Sequence, residues 1–171
     1  MSKAALKKEL QKLDQEQLVQ VILDAYEGRA ETKEYFEFFL NPDIDKLMGK
    51  FEARIGKELN RTKWGTSKAR VTVLKRAVKD FIGLNPGVDA VMDMLFTTVR
   101  YIGILERHVN LTDAQERFAG SVLAQIVDLA DKHQIVAETM PRIEKLLDEE
   151  LFSRYYRKML GQSLESIQNG R

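Results

Sequence analysis

Cysteine is absent from this sequence, and proline and histidine are rare, with three and two copies among 171 residues. The lack of cysteine excludes disulfides, thiolate zinc sites, iron–sulfur clusters and cysteine nucleophiles. Few prolines, together with 44% hydrophobic and 31% charged residues, are typical of a helix-rich globular protein. We therefore predict a single all-helical domain over residues 1–171, a length that suits one core.

Neither sign of charge is in excess, because 27 basic and 26 acidic residues leave a net charge of +1. No whole-molecule field therefore draws the chain to nucleic acid or to an anionic membrane, and any such attraction is local. The N-terminal residues are polar and charged and lack the apolar core of a signal peptide, which favours the cytoplasm. We predict no association with a membrane.

The longest apolar pattern runs from Asn85 to Val109. Its apolar residues recur every three or four positions and cover most of the circumference, which predicts a central, buried helix. Charged residues interrupt the run too often for a bilayer span. We expect the Asn85 side chain to cap this helix and Pro86 to lie in its first turn.

The other apolar patterns predict a total of eight or nine helices, packed as antiparallel pairs in a HEAT-like arrangement or an irregular bundle. Ser2 is a candidate cap, and capping boxes are expected at Asp14 with Gln17 and at Thr112 with Gln115. The predicted helices cover residues 3–12, 14–28, 31–40, 41–60, from Thr66 or Ser67 to Leu84, 85–109, from Thr112 onward, 142–151, and 153 to about 167.

Three local sequence features, an aromatic segment, an aperiodic segment and a proline, lead to further predictions. Residues 31–40 contain so many aromatic side chains that we expect this helix to be buried on more than one side. Residues 61–67 have no periodicity and form the predicted exposed loop, with Thr66 or Ser67 capping the next helix and no strand anywhere in the chain. Pro141 predicts a helix break near Thr139.

The segments 40–48 and 84–92 match in type at six or seven positions, 44 residues apart. This offset lies within the period of HEAT-like helix pairs, and it suggests a duplication. Alternatively, Asn-Pro is simply a frequent helix start and apolar periodicity supplies the other matches. The sequence leaves both explanations open.

The segment Lys33–Pro42, preceded by Leu6–Leu10 and Gln15–Leu18, resembles a family of small bacterial all-helical proteins of unknown function. The resemblance extends over most of the first 130 residues. It implies a cytoplasmic all-α protein, and it brings no activity, ligand or catalytic residue.

The sequence contains no recognisable catalytic pattern. His108 and His133 lack the Glu three residues earlier that a di-iron bundle needs, and both are expected near helix C-termini. Asp89 and Asp93 lie one helical turn apart and are candidate paired carboxylates, although Asp89 also suits a helix N-terminus. No phosphate-binding loop or nucleophile elbow occurs. We therefore predict no catalytic residue, no metal site, no cofactor and no enzymatic activity.

Seven basic residues lie between Arg61 and Lys79 before the first acid, Asp80, and the only tryptophan is among them. Gly65 permits a close backbone approach, hydroxyls lie at a predicted helix start, and an exposed Trp64 would be able to stack on a base. The alternatives are a solvated basic face paired with acids and a Trp64 packed in the interior. The candidate anion-binding residues are Lys63, Trp64, Gly65, Thr66, Ser67, Lys68 and Arg70.

These observations favour a non-enzymatic helical interaction module, whose partner is an unknown protein or a second copy of the chain. The alternative is binding of an anion, a polyanion or nucleic acid through residues 61–79. A third class, an enzyme whose site is assembled only by the fold, requires a deep pocket with converging polar groups.

Overall fold

The computed structural model describes residues 1–150 and 152–169, and these residues form nine α-helices and one small β-hairpin. The predicted all-α class is confirmed. Backbone contacts divide the chain into two compact units, Met1–Asp43 and Ile44–Arg171, and the prediction of one domain stays a prediction. The elements are α1 (Lys3–Leu10), α2 (Gln15–Gly28), α3 (Ala30–Leu40), α4 (Ile44–Leu59), β1 (Thr62–Lys63), β2 (Thr66–Ser67), α5 (Val71–Gly83), α6 (Val88–Glu106), α7 (Asp113–Lys132), α8 (Val136–Leu147) and α9 (Arg154–Asn169).

Two helices of the first unit, α1 and α2, begin at the caps expected from the sequence. The Ser2 hydroxyl accepts a hydrogen bond from the Ala5 N–H at 3.2 Å. At the start of α2, the Asp14 carboxylate accepts from the Gln17 N–H at 2.8 Å, and the Gln17 amide oxygen accepts from the Asp14 N–H at 3.1 Å. This reciprocal pairing satisfies backbone donors that have no partner inside the helix, and it confirms the predicted capping box.

No residue of α1, α2 or α3 is buried. The expectation that α3 is buried on more than one side is therefore wrong. Its aromatic rings instead contact one another, as in the stacked pair Tyr35 and Phe39, whose centroids lie 6.2 Å apart. A unit of this size has too little chain to enclose a core of its own, because small domains bury a small fraction of their surface.

The second unit is built around α6, which packs against α4, α5 and α7. Its buried residues cover most of its circumference, which confirms the predicted central helix. Burial of this many large apolar side chains contributes about 1.5–3 kcal/mol for each. The buried residues of α6 are Ala90, Val91, Met92, Met94, Leu95, Phe96, Thr98, Val99, Ile102 and Gly103.

Gly103 lets two aromatic rings contact the backbone of α6. A Cβ atom added at this position would lie 2.5 Å from ring carbons of both Phe152 and Tyr156. The Tyr156 hydroxyl donates a hydrogen bond to the Val99 carbonyl at 3.0 Å, which satisfies its only polar group in the interior. Burial raises the pKa of Tyr156 because the phenolate would lose its hydration.

Helix α8 continues through Pro141, so the predicted break near Thr139 is wrong. Thr139 and Ile143 are buried on either side of the proline, and their packing offsets a proline cost of about 3 kcal/mol. The helix ends at Leu147, earlier than predicted. The predicted end, Leu151, lies outside the described residues.

Within the described part of the chain, no helix is both long enough and apolar enough to cross a membrane.

The two Leu-Asn-Pro segments lie at matching points between helices. α4 and α6 begin 44 residues apart, and both Pro42 and Pro86 precede a helix. The two asparagines differ, however, because the φ of Asn41 is −137° whereas that of Asn85 is +55°. Matching boundaries with different backbone conformations leave the question of duplication open.

Asn85 ends α5 rather than capping α6, so the predicted cap is wrong. Its N–H donates to the Ile82 carbonyl at 3.0 Å, and its φ of +55° is the left-handed conformation that commonly terminates helices. Gly87 occupies the N-cap position of α6, and no side chain caps that helix. Asparagine suits position 85 because it tolerates the left-handed conformation better than most residues.

We therefore predict that Asn85→Ala and Asn85→Ser each destabilise the protein by about 1–2 kcal/mol, because both place a less tolerant side chain in the left-handed region. Asn85→Gly should be neutral or stabilising. Equilibrium unfolding in urea would measure all three. A neutral Asn85→Ser would contradict the assignment, because serine substitutes well for asparagine only at an N-cap.

Candidate functional site

Residues 62–67 form a β-hairpin where the sequence predicted a loop, so the expectation of no strand is wrong. Thr62 pairs with Ser67 and Lys63 with Thr66. Trp64 and Gly65 form the two-residue turn, both with positive φ, which matches the right-handed twist of the strands. Strands of two residues carry no alternation that a sequence pattern could reveal.

The Trp64 side chain is 91% exposed at the tip of this hairpin, so the indole takes no part in packing. Its φ of +53° is unusual for a bulky residue and stores strain of about 1–3 kcal/mol. The surrounding backbone must hold the turn in place. The sequence correctly predicted the exposure of this segment, although not the strained turn.

Backbone hydrogen bonds fix the hairpin to the segment between α6 and α7. The Ser67 N–H donates to the Asn110 carbonyl at 3.1 Å, and the Asn110 N–H donates to the Gly65 carbonyl at 2.9 Å. At the base, the Lys68 N–H donates to the Arg61 carbonyl at 2.6 Å. Trp64 is thus presented on an anchored tip.

The carboxylate of Glu58 lies at the start of α5, where it is buried. It accepts from the Arg70 N–H at 2.8 Å and from the Arg70 guanidinium at 2.9 Å through both of its oxygens. The Arg61 guanidinium is 3.1 Å away. These hydrogen bonds, chiefly those from the Arg70 side chain, lower the pKa of Glu58 to about 2.

Helix α5 begins at Val71 with Arg70 as its N-cap, so the predicted capping by Thr66 or Ser67 is wrong. Ser67 is buried, and its hydroxyl accepts from the Ala69 N–H at 3.3 Å. The anion at this helix start is the Glu58 carboxylate, which lies five residues before the first residue of the predicted site and was therefore missed. The sequence carried no signal for this role, because charged residues occur throughout α4 and nothing distinguishes Glu58 from the others.

The seven predicted anion-binding residues therefore lie in different environments. Lys63 and Lys68 are exposed and make no ion pair with the described residues. Gly65 and Thr66 are engaged in the hairpin backbone, and Arg70 is held by Glu58. The structure brings Lys63, Trp64 and Lys68 to one exposed hairpin, and anion binding there stays a prediction.

A groove with basic residues at its border lies between α5, the helix that follows the hairpin, and α7. Lys75 and Lys79 are exposed and border a cavity of about 310 Å³ between α5 and α7. Its apolar floor includes Phe118, and Gln125 lies on the α7 side. Lys75 and Lys79 therefore lie on the side of α5 that borders this cavity, whereas Lys68 precedes the helix.

A second groove, with a volume of about 440 Å³, lies between α4 and α6. The Tyr101 hydroxyl donates to the Glu52 carboxylate at 3.4 Å, a long hydrogen bond at its edge. His108, two residues beyond the end of α6, also borders it. The sequence gave no signal for this groove, because Glu52 and Tyr101 lie 49 residues apart.

The unit Met1–Asp43 carries an apolar surface that we call the α2–α3 face. Its five large side chains are between 44% and 69% exposed. A groove of about 400 Å³ between the two helices lies in this surface. The residues of the α2–α3 face are Val19, Ile22, Leu23, Phe39 and Leu40.

Acidic side chains elsewhere do not form a metal or paired-carboxylate site in the described residues, where no three candidate ligands converge. Asp93 pairs with Arg142 at 2.6 Å, which removes it from any pair with Asp89. Asp89 lies in the first turn of α6, as its helix-dipole interpretation predicts.

Comparison with known proteins gives one match. The model of a family described as a family of unknown function (DUF6155) matches residues 1–167. No curated protein and no solved structure shows significant similarity to the chain. The match agrees with the unknown-function family that the sequence resembles, and it extends that resemblance over nearly the whole chain.

Glu58 generates a testable prediction. Because its pKa is lowered from 4.5 to about 2, its contribution to stability is present above pH 4.5 and is lost as the pH falls towards 2. Glu58→Gln should cost about 1.5–3 kcal/mol at neutral pH and should flatten the acid limb of the stability curve.

The matched control is Glu165→Gln, which changes an exposed glutamate of α9 in the same way. Urea unfolding between neutral pH and pH 3 would measure both variants. An unchanged acid limb in Glu58→Gln would show that the carboxylate is not held in its charged form by Arg70.

Proposed function

The chain belongs to the DUF6155 family, whose function is unknown, and we propose that it is a non-enzymatic interaction module that acts through the α2–α3 face. The observation that carries this proposal is the absence of any buried residue from α2 and α3 despite their large apolar side chains. Contiguous exposed apolar surface of this kind marks interaction sites in proteins.

The groove in this face suits an amphipathic helix. Ile22 and Leu23 of α2 line it together with Phe36 and Leu40 of α3. A helix that places its apolar stripe there would cover side chains that are now in water, at about 25 cal/mol for each Å² removed. The occupant must therefore be both helical and apolar on one side.

The distribution of charge supports a second copy of this chain as the occupant. Residues 15–40 carry six acidic and two basic side chains, whereas residues 3–12 carry four lysines and one glutamate. Helix α1 is thus a basic helix with apolar Leu6 and Leu10, and none of its residues is buried. Seating α1 of each copy in the groove of the other, whose helices α2 and α3 carry these acidic side chains, gives a closed, two-fold dimer.

This proposal predicts a dimer that dissociates when either surface is changed. Leu23→Gln with Leu40→Gln in the groove, and separately Leu6→Gln in α1, should weaken dimerisation roughly tenfold or more, because each removes about 1–3 kcal/mol of buried apolar contact. Sedimentation equilibrium would measure this, and added salt should weaken the wild-type dimer.

The control is Val136→Gln, which removes a similarly exposed apolar side chain from α8 and should leave dimerisation unchanged. A wild-type chain that stays monomeric at high concentration would contradict self-association. A monomer that binds a basic amphipathic peptide in the same groove would assign the face to a different protein partner.

A second candidate, binding of single-stranded nucleic acid, is favoured by the hairpin tip. Trp64 offers an exposed aromatic face, and the ammonium groups of Lys63 and Lys68 have no ion pair within the described residues. An aromatic platform beside cations is the arrangement that stacks a base and neutralises neighbouring phosphates. The basic groove at Lys75 and Lys79 lies on the next helix.

If the hairpin binds nucleic acid, Trp64→Ala should weaken binding of a single-stranded oligothymidine by about 1–3 kcal/mol through lost stacking. Lys63→Ala with Lys68→Ala should lower the salt-dependence slope by roughly 1 unit for each lost contact. Fluorescence anisotropy with labelled oligothymidine would measure both. The control Lys132→Ala with Lys145→Ala should keep the wild-type slope, and no binding at low salt would eliminate this candidate.

We further propose that the protein works in the bacterial cytoplasm. The resemblance of Lys33–Pro42 to small bacterial proteins supports a bacterial source. A chain without cysteine is compatible with a reducing compartment such as the cytoplasm. Fractionation of cells that express the tagged chain would test the location.

A further inference from the structure

The groove between α4 and α6 is separate from the α2–α3 face and lies wholly within the unit Ile44–Arg171. It holds about 440 Å³, inside the range of roughly 300–1,000 Å³ that is common for small-molecule sites. One end carries the hydrogen-bonded Glu52 and Tyr101, and the remainder of the wall is largely apolar. The lining residues are Glu52, Ala53, Gly56, Leu59, Asn60, Tyr101, Ile104, Leu105 and His108.

Small residues on α4 make room for this groove. A Cβ atom added at Gly56 would meet no other atom within 4 Å, so the glycine leaves open space. Ala53, one turn earlier, is the other small residue of the lining. Glycine in a helix interior is destabilising by about 0.5–1 kcal/mol relative to alanine, so no packing requirement explains Gly56.

The Glu52 carboxylate makes no ion pair with the residues that the structure describes. It is partly buried, and among those residues its one hydrogen-bond partner is Tyr101, at the long distance of 3.4 Å. Two other acids of this region are paired, since Glu58 is held by Arg70 and Asp80 lies 2.9 Å from Arg54. A partly buried carboxylate without a counter-charge is costly, because desolvation weakens its hydration and no attraction offsets that loss.

Tyr101 keeps its proton and so donates to this carboxylate. Burial, followed by the charge of Glu52, raises the pKa of Tyr101. Its ring therefore adds a neutral aromatic surface beside the negative charge. An aromatic ring next to a carboxylate is a favourable environment for an organic cation.

We propose that this groove binds a small organic amine, with its ammonium group at Glu52 and Tyr101 and its apolar body over Gly56. Leu59 and Leu105 contact that body. His108, beyond the end of α6, also borders the groove, and it limits the length of the ligand. The occupant is a free small molecule, because a volume of about 440 Å³ lies within the range of small-molecule sites.

The experiment uses phenethylamine as the probe and phenethyl alcohol as its neutral counterpart, with isothermal titration calorimetry on the full chain. The amine should bind about tenfold more tightly than the alcohol, because a charge-assisted hydrogen bond to a carboxylate is worth at least that factor. Glu52→Gln should remove the difference, and Glu165→Gln should preserve it.

A second pair of variants separates binding from folding. Gly56→Leu fills the open space with a residue of higher helix propensity, so the protein should fold while amine binding falls by at least about tenfold. Gly49→Leu makes the same change on an exposed part of α4, where a Cβ also meets no atom within 4 Å, and should bind normally.

Equal affinity for the amine and the alcohol, or wild-type binding by Gly56→Leu, would overturn the proposal. A lysine-containing peptide that binds more tightly than phenethylamine would overturn the assignment to a free ligand. The double variant of the α2–α3 face, Leu23→Gln with Leu40→Gln, should bind the amine like the wild type. The test of amine binding is therefore independent of the proposed dimer.

Discussion

Burial of α6 on nearly all sides is the constraint on which the unit Ile44–Arg171 depends. A helix that is apolar around most of its circumference is stable in water only when several other helices cover it. α4, α5 and α7 meet this requirement, and the bare backbone at Gly103 admits Phe152 and Tyr156. The packing of these helices against the apolar surface of α6 therefore sets the positions of the grooves and of the hairpin.

A single buried carboxylate organises the connection between α4 and α5. Glu58 takes the place that a bound anion would occupy at a helix N-terminus, and it also neutralises Arg70. Because of this interaction, the basic residues 61–79 do not all serve one role. Arg61 and Arg70 contact Glu58 and stabilise the fold, whereas Lys63 and Lys68 are exposed on the anchored hairpin, where they are able to contact a ligand.

The surfaces proposed for binding differ in chemistry and consist of different residues. The α2–α3 face is apolar and lies among acidic side chains, the hairpin tip is aromatic and basic, and the α4–α6 groove has one carboxylate in an apolar wall. Because each surface favours a different ligand, a variant of one should leave the others unchanged. This separation allows the proposed functions to be tested independently.

Local sequence patterns determined much of the fold. Capping at Ser2 and Asp14 involves residues only three apart, and the stripe of α6 repeats within one helix, so short windows contain the information. The exposure of residues 61–67 followed from their polar, aperiodic composition, whereas the sequence left open whether Trp64 itself is exposed or packed. The all-α class follows from the same periodicity.

Only the tertiary structure decided which distant groups meet. Glu58 forms an ion pair with Arg70, on the other side of the hairpin, and Glu52 accepts a hydrogen bond from Tyr101 on another helix. Helix α8 continues through Pro141 because the residues around it are packed in the interior. Periodicity likewise marked α2 and α3 as amphipathic without showing whether anything covers them. These outcomes depend on the packing of separate elements, which no local window of sequence contains, because burial and electrostatic pairing are properties of the assembled chain.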